Sequence, residues 1–277
     1  MFKDFFQLVR FPGIFTAFSN VLIGYFFSFN LEIIYLPFLL AISGLLFCSG
    51  MIFNDYFDYS IDKKERSFRP LPSGKFSKST ALLIAIVFLI LANIFAFFIG
   101  SDTLLVSLIL SSLIFFYNFK LKSFSFLGFL SLSIIRMLNV LLGFSISSIS
   151  IEFLQYMIPI GIFVFGISIL AKNEMKSNLL IYNKLNQIFV LLTISFVSVL
   201  VINNFELDSL IFLILFSFFS VYSLFLRKIQ NQITFQLLLI ILLDSVLISF
   251  FVPPAFAILV LLMIIPSYII SKKLYIT

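Results

Sequence analysis

Long apolar stretches alternate with short polar breaks along the whole chain. A helix that spans a bilayer needs about 20 mostly apolar residues. The pattern predicts ten such segments, at 12–29, 36–53, 80–99, 103–119, 125–146, 154–171, 186–203, 209–226, 233–251 and 254–271. They are apolar at odd and even positions alike, which disfavours an outer-membrane barrel of alternating strands. The pattern therefore predicts an all-α, polytopic membrane helix bundle.

The breaks between these segments differ in charge. Those after the odd-numbered segments hold almost no Lys or Arg, whereas cations cluster after every second segment. Cations concentrate in the cytoplasmic loops of membrane proteins, so both termini are predicted to be cytoplasmic. The clusters comprise the six cations between Lys63 and Lys78, and then Lys120, Lys122, Lys172, Lys176, Lys184, Arg227, Lys228, Lys272 and Lys273.

The composition agrees with a membrane protein. Of 277 residues, 62% are hydrophobic and 11% are charged, and the mean hydropathy is +1.20. Soluble domains carry about 25% charged residues, so a soluble enzyme and a disordered chain are both excluded. Asp4 lies among the first residues and no small-residue cleavage site follows the first apolar run, which argues against a cleaved signal peptide. We expect a single transmembrane domain over 1–277.

The residue types limit the chemistry. The chain has no His and one Cys, Cys48, which removes disulfides, zinc sites with Cys or His ligands, Ser-His triads and His-ligated haem. A hard cation with oxygen ligands is the natural cofactor. The net charge of +6 lies in the loop clusters rather than in a basic stripe, so no nucleic-acid partner is expected.

An acidic motif ends the second apolar segment, in the run NDYFDYSID at 54–62. On a helix at about 100° per residue, with Asn54 at zero, Asp55 lies at about 100°, Asp58 at about 40° and Asp62 at about 80°. Carboxylates that share a face repel one another unless a cation lies among them. Mg²⁺ prefers one or two carboxylates together with phosphate oxygens. The arc therefore predicts half of a magnesium–diphosphate site.

A basic run, KKERSFRPLPSGK at 63–75, follows within the longest polar stretch of the chain, 54–79, which we expect to be a loop. Arg69 and the neighbouring lysines can bind phosphate oxygens. The alternative is a loop that contacts only lipid headgroups, which is the better interpretation for any single Lys. For Arg69, so near the acids, the site is favoured.

These two runs resemble the first signature of the UbiA-type intramembrane prenyltransferase superfamily. The resemblance implies a Mg²⁺-dependent enzyme that moves an isoprenoid from its diphosphate to an acceptor. It implies metal–diphosphate roles for Asn54, Asp55, Asp58 and Asp62, and a diphosphate contact for Arg69. The six-residue gap between Asp62 and Arg69 is similar to that of the branches that include chlorophyll synthase and archaeal ether-lipid prenyltransferases.

The second acidic pair of the family departs from its pattern here. At the end of the sixth segment, Glu174 and Asn178 occupy the two acidic positions, and Lys172 and Lys176 lie in the same turn. An Asn offers an oxygen without a negative charge, so a second Mg²⁺ should bind more weakly. Alternatively, a lysine neutralises diphosphate directly, catalysis is impaired, or the stretch is a basic helix end with one incidental Glu.

A looser match follows the fourth segment, in the run YNFKLK at 117–122. It is similar to a family stretch in which a Tyr precedes a Lys near the diphosphate, which implies substrate contacts for Lys120 and Lys122. The alternative is a topological role for both lysines.

Polar residues also lie within the apolar segments. Insertion of a charged side chain at the middle of a spanning helix costs roughly 2.5–3.5 kcal/mol, so a functional role is a candidate interpretation for Arg136 and Asp244. Arg136 can bind a diphosphate or an acceptor carboxylate, and we expect it to face a central cavity; alternatively it forms a structural ion pair with Asp244. Asn139 shares its face and Asn20 lies in the first segment. The Arg-x-x-Asn-x-x-x-Gly stretch and the mid-membrane Asp resemble a UbiA-like branch called EboC, associated with export or maturation of terpenoid-type metabolites.

The predicted fold is nine core transmembrane helices plus an extra C-terminal one, around a cavity capped by the 54–79 and 172–185 loops. The predicted function is a Mg²⁺-dependent prenyltransferase that uses a prenyl diphosphate and an aromatic or lipid acceptor in the bilayer. The alternative is a non-catalytic relative that binds or exports a terpenoid-type metabolite. Predicted catalytic carboxylates are Asp55, Asp58, Asp62 and Glu174, which with Asn54 are also the predicted metal ligands. Predicted substrate contacts are Asn20, Asn54, Arg69, Lys120, Lys122, Arg136, Asn139, Lys172, Lys176, Asn178 and Asp244.

Overall fold

The chain folds as a bundle of α-helices. The computed structural model describes residues 2–29, 32–147, 151–172, 179–204, 207–272 and 274, and no β-strand occurs within these ranges. Short 3-10 turns cover Phe11–Gly13, Leu121–Ser123 and Ile151–Phe153. The helices are α1 Phe2–Leu8, α2 Ile14–Phe27, α3 Tyr35–Phe57, α4 Tyr59–Glu65, α5 Lys78–Ile99, α6 Ser101–Phe119, α7 Ser125–Phe144, α8 Leu154–Lys172, α9 Leu179–Asn203, α10 Leu207–Leu224, α11 Ile229–Ile248, α12 Pro254–Leu261 and α13 Ile264–Ser271.

The predicted all-α polytopic fold is confirmed. In the described part of the chain, nine helical stretches are long and apolar enough to cross a bilayer. There are ten if α1 and α2, which meet at 53°, form one bent span. The last span, 254–271, is broken into α12 and α13 at 262–263. Pro266 explains the break, because it has no N–H to donate to the carbonyl of Leu262 and its ring crowds that carbonyl.

Small residues bring the helices together. The buried face of α5 is a stripe of alanines against α3, and Ser49 Oγ of α3 donates to the carbonyl oxygen of Ala85 at 2.9 Å. A Cβ on Gly143 of α7 would stand 1.9 Å from the Val21 carbonyl oxygen of α2, so these two backbones touch. Without a hydrophobic drive between helices in lipid, such close backbone approach is what holds them together. The four alanines are Ala81, Ala85, Ala92 and Ala96.

The depth of each helix in the bundle follows from its burial. Of the apolar stretch of α11 that could cross the membrane, 78% is buried inside the protein, against 17% of that of α5. α11 is therefore a central helix, whereas most of α5 faces lipid. α2 packs against α3, α7 and α11, and so it connects the motif-bearing α3 to the buried α11.

Two predicted loops are shorter than expected, so these boundaries were wrong. The polar stretch 54–79 contains the last turn of α3, all of α4 and the start of α5, and the predicted loop 172–185 contains the start of α9 at Leu179. The Asp58 N–H donates to the Asn54 carbonyl oxygen at 3.0 Å, so the backbone ladder continues where apolar residues stop. Hydropathy marks where a helix leaves the membrane rather than where it ends.

The C-terminal helix docks beside the start of the first span. Ser267 Oγ of α13 is fully buried and donates to the Pro12 carbonyl oxygen at 2.8 Å. Pro12 lies in the 3-10 turn between α1 and α2. The two ends of the bundle sequence thus meet in space.

Candidate functional site

The acids around the junction of α3 and α4 form two rows, each bridged by one cation of the chain. In the first row, a single nitrogen of Arg69, Nη1, lies 2.8 Å from Asp62 Oδ2 and 3.3 Å from Asp55 Oδ1. These are the two acids that the helical arc places closest in angle, at about 80° and 100°. One positive atom therefore holds both carboxylates.

The second row consists of Asn54 and Asp58. Lys122 Nζ lies 2.7 Å from Asp58 Oδ1 and donates to Asn54 Oδ1 at 3.2 Å. Lys122 belongs to the turn between α6 and α7, so this contact ties that turn to the end of α3. The structure thus brings together all four predicted residues of the motif with two of the predicted cations.

Arg10 is a third cation at this place, and sequence reasoning missed it. Its Nη2 lies 3.0 Å from Asp55 Oδ1. Arg10 lies between α1 and α2 with φ 47°, a left-handed conformation that turns the chain there. The signal was its position: it is a cation that stands before the first span, outside every basic cluster. We call Arg10, Asn54, Asp55, Asp58, Asp62, Arg69 and Lys122 the motif cluster.

Burial sets the electrostatics of the motif cluster. Asp55 is 2% exposed, Asp62 is 1% exposed and Arg69 is 8% exposed. Burial raises the pKa of the Asp62 carboxyl above its usual value, although the charge and hydrogen bond of Arg69 oppose the rise. Burial likewise lowers the pKa of the Lys122 ammonium, against the hydrogen bond to Asp58. Water has little access to these charges, so they interact more strongly with a charged ligand than exposed charges would.

The motif cluster fits a hard divalent cation by its donors. Its ligands are carboxylate and amide oxygens, and the cationic nitrogens of Arg69 and Lys122 show that one positive centre can contact two oxygens in each row. Over the described ranges, no set of three acidic or thiol side chains gathers around one point. Mg²⁺ needs no such set, because it commonly takes one or two carboxylates and completes its shell with phosphate oxygens and water.

The remaining predicted residues at this end are less closely placed. Lys120 is exposed, whereas Lys172 donates to the carbonyl oxygens of Lys122 and Ser123, at 2.7 and 3.3 Å, and so it supports the turn that carries Lys122. Glu174, Lys176 and Asn178 lie outside the described residues.

A second polar group lies deeper in the bundle. Asp244 of α11 is fully buried and accepts hydrogen bonds from Ser19 Oγ at 2.5 Å and from Asn20 Nδ2 at 2.9 and 2.8 Å. The other end of the Asn20 amide, Oδ1, accepts from Arg136 Nη1 at 3.2 Å, and Thr16 Oγ1 accepts from Arg136 Nη2 at 3.0 Å. We call Thr16, Ser19, Asn20, Arg136 and Asp244 the membrane network.

The direct ion pair between Arg136 and Asp244, one of the two alternatives from sequence, is not formed. Among the described side chains, Arg136 has no carboxylate within 4.0 Å, because the Asn20 amide stands between the two charges. An amide satisfies both at once, since it donates at one end and accepts at the other.

Asn139 serves the packing around the membrane network. Its Nδ2 donates to the Ala17 carbonyl oxygen at 2.8 Å, and its Oδ1 accepts from Ser43 Oγ at 2.9 Å. The amide therefore links α7 to α2 and α3. Its predicted role as a substrate contact stays a prediction.

An apolar groove of about 520 Å³ lies along α1, α2, α3 and α5. Its walls include Phe5, Phe11, Phe18, Phe88 and Phe95, and Val9 and Phe11 place one part of it beside Arg10. The groove is apolar, and only a few of the 41 phenylalanines line it.

Comparison with known proteins gives both sequence and structural relatives. Residues 14–231 match the model of the UbiA prenyltransferase family. The chain is 31% identical over 150 residues to the digeranylgeranylglyceryl phosphate synthase of Sulfurisphaera tokodaii, covering 51% of each protein. It is 40% identical over 82 residues to that of Pyrococcus furiosus, covering 29% of this chain and 30% of the relative. The chain thus spans about half the length, or less, of these curated relatives.

Two solved structures have the same fold. The UbiA homolog from Archaeoglobus fulgidus bound to GPP and Mg²⁺ superposes with a TM-score of 0.71 at 14% identity, over 93% of this chain and 99% of that one. The UbiA homolog from Aeropyrum pernix K1 gives 0.71 at 13% identity, over 87% and 98%. The family model covers most of the chain, and the fold agrees with it. This multi-pass membrane protein belongs to the UbiA prenyltransferase family.

Proposed function

We propose that the chain is a Mg²⁺-dependent prenyltransferase that moves an isoprenoid group from a prenyl diphosphate to a hydrophobic aromatic or lipid acceptor in the bilayer. The observation that carries this proposal is the motif cluster, in which buried acids and three cations converge at one end of the bundle. The family match, the relatives' names and the GPP and Mg²⁺ bound by a structural neighbour support it.

The chain's own cations bind the diphosphate in this proposal. Arg10, Arg69 and Lys122 each hold an acid through a direct contact, and a diphosphate offers the same oxygen chemistry to the same donors. Asn54, Asp55, Asp58 and Asp62 would hold Mg²⁺, which when bound neutralises part of the diphosphate charge. Glu174 is proposed to share this role, and Lys172, Lys176 and Asn178 to line the site.

The chemical step is the ionisation of an allylic diphosphate. The bond between C1 of the isoprenoid and the bridging oxygen breaks, its electron pair leaves with the diphosphate, and an allylic cation remains. A nucleophilic carbon or oxygen of the acceptor bonds to C1, and the acceptor then loses a proton to solvent or to the departing diphosphate. The cations of the motif cluster act by stabilising the charge that develops on the leaving group.

The setting follows from the positions of the charges. The motif cluster lies at the end of the bundle where α3 and α6 end and α7 begins. The clusters of Lys and Arg share this side, so we place it at the cytoplasmic face, with both termini there. Water-soluble diphosphate reaches the site from that face, and the apolar acceptor from the bilayer.

The test is prenyl transfer by purified protein in detergent or liposomes, with labelled prenyl diphosphates and a membrane extract as the acceptor source. We expect Asp55→Asn and Asp62→Asn each to reduce transfer roughly 100-fold or more. Asp102→Asn is the matched control, because it removes an exposed acid at the start of α6, and it should keep full activity. Full activity of Asp55→Asn would refute the proposal.

A second candidate is a non-catalytic protein that binds or exports a terpenoid-type metabolite. It is favoured by the state of the motif cluster, in which Asp55, Asp58 and Asp62 are all held by cations of the chain, and by Asn178 at an acidic position of the family. The two candidates differ in one product. A transferase releases diphosphate when supplied with prenyl diphosphate, Mg²⁺ and acceptor, whereas a binding protein retains the donor intact.

A further inference from the structure

Arg136 has hydrogen-bonding capacity that the protein does not use. A guanidinium carries five N–H donors, and two of them reach Asn20 and Thr16. Both acceptors are neutral, and within the described residues no carboxylate pairs directly with Arg136. A cation in the interior of a membrane bundle is costly, and it is retained where it meets a specific partner.

Arg136 lies on the side of α7 that is turned away from lipid. The lipid face of α7 carries exposed apolar residues such as Leu130 and Ile134, and Arg136 lies about 200° from Ile134 around the helix. Gly143, which lies within about 20° of Arg136, touches the backbone of α2. Arg136 is partly exposed, and its helix position places it on the face of α7 that packs against the other helices rather than on the lipid face.

One face of α3 runs from Arg136 to the motif cluster. The guanidinium lies 5.9 Å from the centre of the Phe47 ring. Phe47, Met51, Asn54 and Asp58 are all half-buried and fall within an arc of about 60°. Phe47 precedes Asp55 by eight residues, so the guanidinium lies about 12 Å below the acids along α3. A ligand of that length reaches both places.

The rest of the membrane network fixes the direction of the guanidinium. Asp244 accepts both contacts of the Asn20 amide nitrogen, which forces the amide oxygen to point to Arg136. Asp244 is thus a positioning residue, which acts on Arg136 through Asn20. In metal sites, too, hydrogen bonds from residues behind the binding side chains fix the orientation of those side chains.

We infer that Arg136 binds an anionic oxygen group, a carboxylate or a phosphate, on the hydrophobic acceptor, so that the acceptor is held with its charged end inside the bundle. This inference rests on the proposed transferase function. The planar fork of a guanidinium binds both groups through paired N–H donors, and a low-dielectric surrounding strengthens the contact. A neutral alcohol of the same shape gains much less.

Binding of defined probes tests this without knowledge of the acceptor. Purified protein in detergent, with Mg²⁺ and saturating inorganic diphosphate present to occupy the motif cluster, is titrated with four amphiphiles that share one geranyl tail. They end in a carboxylate, a phosphate monoester, an alcohol or a trimethylammonium group. We expect at least one of the two anions to bind ten-fold or more tightly than the alcohol, and the trimethylammonium probe to bind least. Preference for carboxylate or for phosphate identifies the source of the anion.

The variants separate recognition from folding. Arg136→Gln should abolish the preference for anions, and Arg136→Lys, which keeps the charge and loses the fork, should reduce it three-fold or more. Asp244→Asn should weaken the anionic probes and leave the alcohol unchanged, whereas a purely structural defect would weaken both. Asn93→Ala is the matched control, because it removes a membrane-embedded amide that contacts Ser111 of α6 instead, and it should keep the preference.

Two outcomes overturn the inference: equal binding of alcohol and anions by the wild-type protein, or an unchanged preference in Arg136→Gln and Arg136→Lys. Asp55→Asn distinguishes this inference from the proposed function. It should lose prenyl transfer and keep the preference for anions. Loss of the anion preference with transfer intact counts against the inference alone, and intact anion binding without transfer in the wild-type protein counts against the proposed function.

Discussion

Opposite charges touch in the motif cluster and are kept apart in the membrane network. Arg69 lies 2.8 Å from Asp62 and Lys122 lies 2.7 Å from Asp58, whereas an amide separates Arg136 from Asp244. The first arrangement lies at the end of the bundle, where the diphosphate of the proposed donor would replace one partner of a pair. The second is enclosed, and each of its members holds the next. Direct pairs thus suit exchange, and a relay through an amide suits fixed orientation.

The largest effect, on stability, is expected from replacing Asp244. Asp244→Ala leaves the Asn20 amide nitrogen without its acceptor in a fully buried place and removes the charge that offsets Arg136. We expect a loss of about 3 kcal/mol in the free energy of unfolding, measured by denaturation in bicelles. Asp244→Asn keeps the shape and should lose less. Wild-type stability of Asp244→Ala would show that the membrane network does not hold the helices.

The next effect concerns the helix crossing that builds the membrane network. In Gly143→Ala the added Cβ would meet the Val21 carbonyl oxygen, so α2 and α7 must separate, at about 2 kcal/mol of stability. Gly50→Ala is a milder control, because its Cβ would meet only the Cγ2 of Ile114, at 3.2 Å. Thermal unfolding of the two variants in one detergent compares them, and equal midpoints contradict the expectation.

In the motif cluster, two neighbouring lysines give a matched pair. Lys122→Met removes the cation that contacts Asp58 and Asn54, whereas Lys120→Met removes an exposed one. We expect the dissociation constant for prenyl diphosphate to rise about ten-fold in Lys122→Met and less than about two-fold in Lys120→Met. Equilibrium binding of labelled donor in the presence of Mg²⁺ measures both. Equal losses would mean that the two lysines act only through general positive potential.

The smallest effect is expected at Arg66, which shares Asp62 with Arg69. Arg66 Nη1 lies 3.8 Å from Asp62 and its side chain is 44% exposed, whereas Arg69 Nη1 approaches to 2.8 Å and the side chain of Arg69 is 10% exposed. Arg66→Gln should change donor binding less than about two-fold, because water screens an exposed pair. Arg69→Gln in the same assay should lose far more, and similar values for the two would remove the distinction between direct and peripheral contacts.

Much of the fold was predictable because the signal is hydropathy, which is local. Each spanning helix was visible as an apolar run, and the spacing of Asn54, Asp55, Asp58 and Asp62 placed them on one face, although their division into two rows was not predicted. The ends of the helices were not visible, since the backbone ladder at Asp58 continues into polar sequence. The loop from 54 to 79 was therefore predicted too long.

The partners of the motif were harder to predict. Arg10 lies 45 residues before Asp55, and nothing in a single sequence pairs residues at that distance. The geometry of Arg136 and Asp244 was missed for another reason. Two opposite charges in a membrane suggest a direct ion pair, whereas the structure places Asn20 between them, and only the packing of α2 against both α7 and α11 decides that.

The contact between Ser267 and Pro12 has a consequence for how the protein is made. These two residues are separated by 255 positions, so the first span has left the ribosome long before its support exists. Pro12 lies two residues after Arg10, in the turn that aims the guanidinium at Asp55. The surroundings of Arg10 are thus completed only once α13 has been made and inserted into the membrane. A chain released before Ser267 carries every acid of the motif and lacks the helix that steadies one of its cations.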